Sequence, residues 1–223
     1  MTTMTLTAFD VRKEYRNLYH PPATAVTLMD VPPMNFLMID GHGDPNTSQE
    51  YRDALDTLYA VSYTLKFMLK KGAAAIDYGV LPLEGLWWAT DTDAFALARK
   101  DTWDWTMMIM QPPFVTGPLV EEAIGQVAAK KNPSALPKLR FACFHEGLSA
   151  QIMHIGPFSA EGPTIERLHH FIGESGYAIT GKHHEVYLSD PRRVAPERMK
   201  TVIRQPIGAL PTSIPTRPNA GSI

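Results

Sequence analysis

Leu139-Arg-Phe-Ala-Cys-Phe-His-Glu-Gly-Leu-Ser-Ala-Gln-Ile-Met-His-Ile-Gly156 alternates apolar and polar residues on both sides of Glu146-Gly147. That is the pattern of two short strands meeting at a tight turn. The chain turns again at Gly156-Pro157. A helix is expected from about Pro163, with Ile165, Leu168, Phe171 and Ile172 on one face and Gly176 as its stop. Two further strands, Gly181 to Pro191 and Met199 to Pro206, close the unit.

The same order is written upstream. Ala25 to Asp30 and Met34 to Asp40 flank Val31-Pro-Pro and read as a hairpin, and the chain then turns at Gly41-His-Gly43. Thr47 and Glu50 have capping-box spacing, and Ala54, Leu55, Leu58, Val61, Ser62, Leu65 and Met68 follow at helical intervals. Asp77 to Trp88 and Trp103 to Pro112 are the expected closing strands, with a long loop between them. Both halves finish on Gln-Pro, at Gln111-Pro112 and Gln205-Pro206, and the helical stretch Leu119 to Ala129 that joins them has no counterpart. An internal repeat of this kind predicts an α+β fold. Two fused strand-helix-strand-strand units form a pseudo-dimeric antiparallel sheet, with helices on the convex face and a ligand groove on the other. The expected layout is an N-terminal arm at 1–22, one domain at 23–208 with pseudo-repeats at about 23–112 and 137–208, and a flexible tail at 209–223.

Composition narrows the function. With 223 residues, 44% of them hydrophobic, the chain can bury a sizeable core. A formal charge of -2 and the lack of long basic runs argue against nucleic acid as a partner. Nowhere do eighteen apolar residues run together, so no membrane span is expected. The single cysteine, Cys143, cannot form an internal disulfide, and the first residues lack a secretory pattern, so the cytoplasm is the expected compartment. The pairs His169-His170 and His183-His184 lack metal-site spacing, and no glycine-rich phosphate loop is present. No metal and no cofactor are expected, and the oligomeric state is not legible.

Period-two alternation places His183, Glu185 and Tyr187 on one face of a strand. A solvated Glu is the commoner occupant of a sheet face. Aromatic neighbours shift that balance, because a carboxylate among rings is desolvated and becomes a counter-ion or a general acid or base. Trp87, Trp88, Trp103 and Trp105 fall on one expected hairpin, and Tyr63, Tyr78 and Phe144 lie on elements expected to border the groove. Core filling is the ordinary job of any one of them. Met108 and Met153 would add adaptable apolar contacts. Glu84, in Pro82-Leu-Glu-Gly, is a second acid beside aromatic residues, and its pairing with Glu185 depends on a separation that sequence does not state.

His184-Glu-Val-Tyr-Leu-Ser-Asp-Pro191, Pro82-Leu-Glu-Gly-Leu-Trp-Trp88, Met108-Ile-Met-Gln-Pro112 and Met153-His-Ile-Gly-Pro157 together resemble the stand-alone members of the GyrI-like small-molecule-binding family, over roughly Phe9 to Ile207. The resemblance implies a groove at the junction of the two halves with Glu185 at its base. Members of that family act as drug-sensing modules fused to DNA-binding domains, as sequestering proteins, or as hydrolases that open the cyclopropane of DNA-alkylating natural products. No helix-turn-helix pattern precedes the domain here, so the sensing version is not expected. The implied ligand is a lipophilic, aromatic small molecule, planar or cationic, bound for protection against toxic compounds. Tyr63, Glu84, Trp88, Trp105, Met108, Phe144 and Met153 are the expected lining. If the chain is a hydrolase, Glu185 would activate water, with Tyr78 or Tyr187 donating to the ligand carbonyl.

Overall fold

The computed structural model describes residues 7–89 and 100–210, the side chains of Val11 and Arg12 excepted. Most of the expected 209–223 tail, and most of the long loop before Trp103, lie outside the described residues. The arm folds into β1 (Thr7–Phe9), α1 (Val11–Glu14) and α2 (Arg16–Tyr19). The first half follows as β2 (Thr27–Val31), β3 (Met34–His42), α3 (Gln49–Lys71), β4 (Ile76–Tyr78), β5 (Leu83–Trp88) and β6 (Asp104–Gln111). A linking helix, α4 (Gly117–Lys130), leads to β7 (Arg140–Phe144), β8 (Gly147–Ile155), α5 (Gly162–Glu174), β9 (Tyr177–Ile179), β10 (His183–Tyr187) and β11 (Lys200–Ala209).

The large sheet runs β2-β8-β11-β10-β5-β6-β3-β7, with β9 on the far end of β11. All its pairings are antiparallel. Replacing each strand by its counterpart in the other half (β2 by β7, β3 by β8, β5 by β10, β6 by β11) reverses the order and leaves it unchanged. This is the pseudo-dimeric α+β sheet that the repeat implies, with the two halves meeting at the β5–β10 pair.

Two expected hairpins are absent. β2 pairs with β8 rather than β3, and β7 pairs with β3 rather than β8. Only Pro32 and Pro33 separate β2 from β3. Proline is locked at negative φ, so this pair cannot make the positive-φ turn that folds two strands back on each other. Each half therefore gives its first strand to the other half's edge.

The first helix of the repeat starts one residue later than its capping-box spacing implies. Ser48, not Thr47, is the N-cap, with its Oγ accepting from the Tyr51 N–H at 3.2 Å, while Glu50 pairs with Lys138. Ala54, Leu58, Val61, Leu65 and Leu69 form its buried stripe.

Register sorts the sheet into two faces. Ile203 and Ile152 share a face with Glu185 and pack with Leu168 and Ile172 of α5. Trp87 and Trp105 are on that face too, against Tyr51 of α3. Both repeat helices therefore cover the face that carries Glu185. The opposite face was expected to be the groove; the arm lies over part of it, while its Asp40–Arg140 end stays exposed. From the arm, Tyr19 Oη donates to Glu84, and the backbone oxygens of Asn17 and Leu18 accept from Gln151 and Arg204.

Candidate functional site

At the seam of the two halves, Glu185 of β10 stands opposite Gly85 of β5. His183 and Tyr187 flank Glu185 along its strand, and Trp87 of β5 and Trp105 of β6 continue the same face. Gly85 is small for a reason: a Cβ there would come within 2.7 Å of Trp87 Nε1 and 3.1 Å of Tyr187 Oη. Without it, Trp87 Nε1 donates to Tyr187 Oη at 3.0 Å. Gly41 does the same for Trp105, whose six-membered ring lies where a Cβ would meet it at 2.1 Å.

The surrounding rings interlock. Tyr51 meets Trp105 edge to face at 5.3 Å and stacks on Trp87 at 6.2 Å, and Trp103 meets Trp87 at 5.7 Å. From the other half, Phe158 lies edge-on to Tyr187 at 5.5 Å. The Glu185 side chain keeps 15% of its exposure within this frame.

Burial acts to raise the Glu185 carboxyl. The hydrogen bond and charge of His183, the Tyr187 hydroxyl and the charge of Lys100 outweigh it and hold Glu185 below the ordinary range. His183 Nε2 lies 3.2 Å from Glu185 Oε1. Tyr187 is pushed well above a free phenol by burial and by the Glu185 charge, so it is a persistent O–H donor toward Glu185. Burial and the same charge raise Tyr51. A second carboxyl, Glu161 at the start of α5, is 5% exposed. Burial, followed by the adjacent Glu185 charge, pushes Glu161 up to about 9. At neutral pH the site thus holds one ionised and one protonated carboxyl.

Of the residues expected to line a groove, Glu185, Tyr187 and Trp105 come together. The others do not. Glu84 is one residue out of phase: it pairs with Val186 in register, so its side chain leaves the opposite face and meets His184 Nε2 at 3.0 Å. Trp88 shares that opposite face, at the strand end, with Lys182 Nζ 3.1 Å from its ring centroid. Met108 and Met153 are core residues beneath the arm side, and Phe144 packs on Phe36 at the β7 edge. Tyr78 is buried on β4 against Phe114, its hydroxyl without a hydrogen-bond partner among the described residues. Tyr63 is 48% exposed on the outside of α3, because only one stripe of an amphipathic helix can face the sheet. Tyr51, Trp87, Phe158 and Glu161 were not singled out as lining from sequence. Trp87 was legible as one of two adjacent indoles, and strand parity was the missing signal.

The arm side holds a buried charged cluster. His184 presents Nδ1 to Glu146 at 2.9 Å and Nε2 to Glu84 at 3.0 Å. Arg204 reaches Glu146 at 3.0 Å, Gln151 at 3.0 Å and the Leu18 carbonyl at 2.9 Å. Burial disfavours charge on His184, but Glu146 overcomes it and lifts the ring to about 9. Glu146, also opposed by burial, is held at about 2 by His184 and Arg204.

No group of residues suited to a metal ion occurs among the described residues, and none of their helices is long and apolar enough to cross a membrane. Comparison with known proteins places the fold. An uncharacterized conserved protein from Listeria innocua is 41% identical, with 90% of this chain and all of that one aligned and a TM-score of 0.83. Two structures each described as a hydrolase from Listeria innocua align over 91% and 90% of this chain and all of theirs. Their identities are 40% and 39%, and their TM-scores 0.80 and 0.78. No curated protein gave a significant match. The family model for the GyrI-like small molecule binding domain matches residues 24–207. With that match spanning both halves of the sheet and the seam between them, the chain belongs to the GyrI-like small-molecule-binding family.

Proposed function

We propose that this protein binds a flat, lipophilic electrophile between the indole and phenol rings at the seam and hydrolyses it, protecting the cytoplasm from toxic compounds. A conjugated ketone carrying a strained cyclopropane is the substrate class. The observation that carries this reading is an ionised Glu185 enclosed by Tyr51, Trp87, Trp105 and Tyr187. The similarity to two proteins described as hydrolases supports it.

Tyr51 and Tyr187 keep partial exposure and border the ligand, with Trp87 and Trp105 buried behind them as a rigid backing; each ring that meets the ligand is worth roughly 1 kcal/mol beyond area burial. Among the described residues Trp105 Nε1 is buried without a hydrogen-bond partner. Glu185 accepts a proton from water as the water oxygen bonds to the cyclopropane carbon. The strained C–C bond breaks, and its electron pair passes through the conjugated system to the carbonyl oxygen, which is then protonated. His183 and Tyr187 keep Glu185 charged and aligned. Glu84, Trp88, Met108, Phe144, Met153, Tyr63 and Tyr78 have no part in this step.

The test is to incubate the protein with a cyclopropane-bearing conjugated dienone and follow the ring-opened product by mass spectrometry. Glu185→Gln is expected to lower turnover by about 100-fold or more while tryptophan quenching by the ligand persists. An undiminished rate in that variant would refute the assignment. Protection of a DNA target at one ligand per protein, with no product, would leave sequestration as the function.

A further inference from the structure

We propose that Glu161 is the acid of this site: it forms a one-proton carboxyl pair with Glu185 and gives its proton to the ligand oxygen that receives the electrons of the broken bond. The inference rests on the hydrolytic reading above.

Placement argues first. Glu161 is 5% exposed at the foot of α5, and Phe158, three residues earlier, lies edge-on to Tyr187. Its segment therefore roofs the face that carries Glu185. Among the described residues Glu161 Oε1 has no hydrogen-bond partner. A buried, unpaired, ionised oxygen is strongly unfavourable, whereas a neutral carboxyl with one free oxygen is tolerated and is ready to meet a ligand. Burial and the Glu185 charge both favour that neutral state, with titration at about 9.

Elimination argues second. The Tyr187 hydroxyl donates toward Glu185 and accepts from Trp87, so its proton is already committed. Tyr78 packs on Phe114, away from the seam. Tyr51 remains as a phenol, but its proton is held more tightly than an ordinary phenol's. Glu161 is the stronger acid.

The proton count closes over one cycle. Water loses a proton to Glu185 as its oxygen bonds to carbon, and Glu161 loses its proton to the ligand oxygen. Glu185 then carries a proton and Glu161 a charge. Transfer between the two neighbouring groups restores the resting state without exchange with bulk water.

The experiment compares wild type, Glu161→Gln and Glu185→Gln for turnover of the dienone between pH 6 and pH 10. Infrared spectra of the ligand-free proteins supply a second readout, the stretch of a protonated carboxyl. In Glu161→Gln, kcat is expected to fall by about 100-fold with little change in ligand quenching. The alkaline fall of the wild-type kcat profile should vanish in that variant. The carboxyl stretch seen in wild type at neutral pH should also disappear. Wild-type kcat with an unchanged alkaline limb in Glu161→Gln would overturn the proposal. Absence of turnover in the wild type would end the hydrolytic reading and proton donation with it. The infrared arm would then decide the shared proton alone: a band lost in Glu161→Gln upholds it, and no band overturns it.

Discussion

Replacing Arg204 by Met tests how the arm is held. Arg204 is 1% exposed and uses three of its donors, to Gln151, Glu146 and the Leu18 carbonyl, all within 3.0 Å. Met fills much of the same space but donates nothing. Glu146 would keep only His184, while the Gln151 and Leu18 oxygens would lose their donor. Removing one partner of a buried ion pair costs about 3 to 5 kcal/mol, since the charge left behind stays desolvated. Urea unfolding followed by tryptophan fluorescence should show a loss of that size, with the denaturant slope near that of wild type. Limited trypsin digestion should also cut the Arg16 region sooner. A loss below about 1 kcal/mol, with no change in digestion, would refute the view that this cluster anchors the arm.

The same cluster predicts pH dependence. His184 is raised from 6.5 to about 9, so its contribution is complete below pH 6.5 and is lost as pH rises toward 9, by roughly 3 kcal/mol at most. Glu146 is lowered from 4.5 to about 2, so its contribution is present above pH 4.5 and fades as pH falls toward 2. Urea midpoints across pH 3 to 10 should fall at both ends, and a flat alkaline side would refute the His184 assignment. Gly85→Ala should separate Trp87 from Tyr187, costing about 1 to 3 kcal/mol in unfolding experiments and blunting ligand quenching; a neutral effect would refute the close approach. Tyr187→Phe removes a donor that holds Glu185 low, so the acidic limb of the kcat profile should move to higher pH; no movement would remove Tyr187 from the site.

Strand periodicity and glycine turns made the repeat legible, because each half is specified by local patterning. Which strands pair is not local. Val31-Pro-Pro looks like a hairpin in sequence, yet β2 finds its partner in the other half. The face of Glu185 within β10 was readable, since His183, Glu185 and Tyr187 obey a period of two. The phase of β5 against β10 was not. A shift of one residue exchanges Gly85 and Trp87 for Glu84 and Trp88, which is why sequence left the Glu84–Glu185 separation open and named Trp88 rather than Trp87 among the lining. Glu161 gave no signal, because an acid at a helix start is the ordinary complement to the helix dipole. The cover over the far face was hidden for a similar reason: a short arm with mixed charge does not announce that its carbonyls will satisfy a buried arginine.

The seam divides labour between the halves of the chain. Tyr51, Trp87, Trp103 and Trp105 come from the first, whereas Phe158, Glu161, His183, Glu185 and Tyr187 come from the second. The first half supplies all of the indoles and the second both carboxyls and the histidine. Altering the first half should change which molecules are held, and altering the second what happens to them, so ligand range and reactivity can drift separately within a single polypeptide.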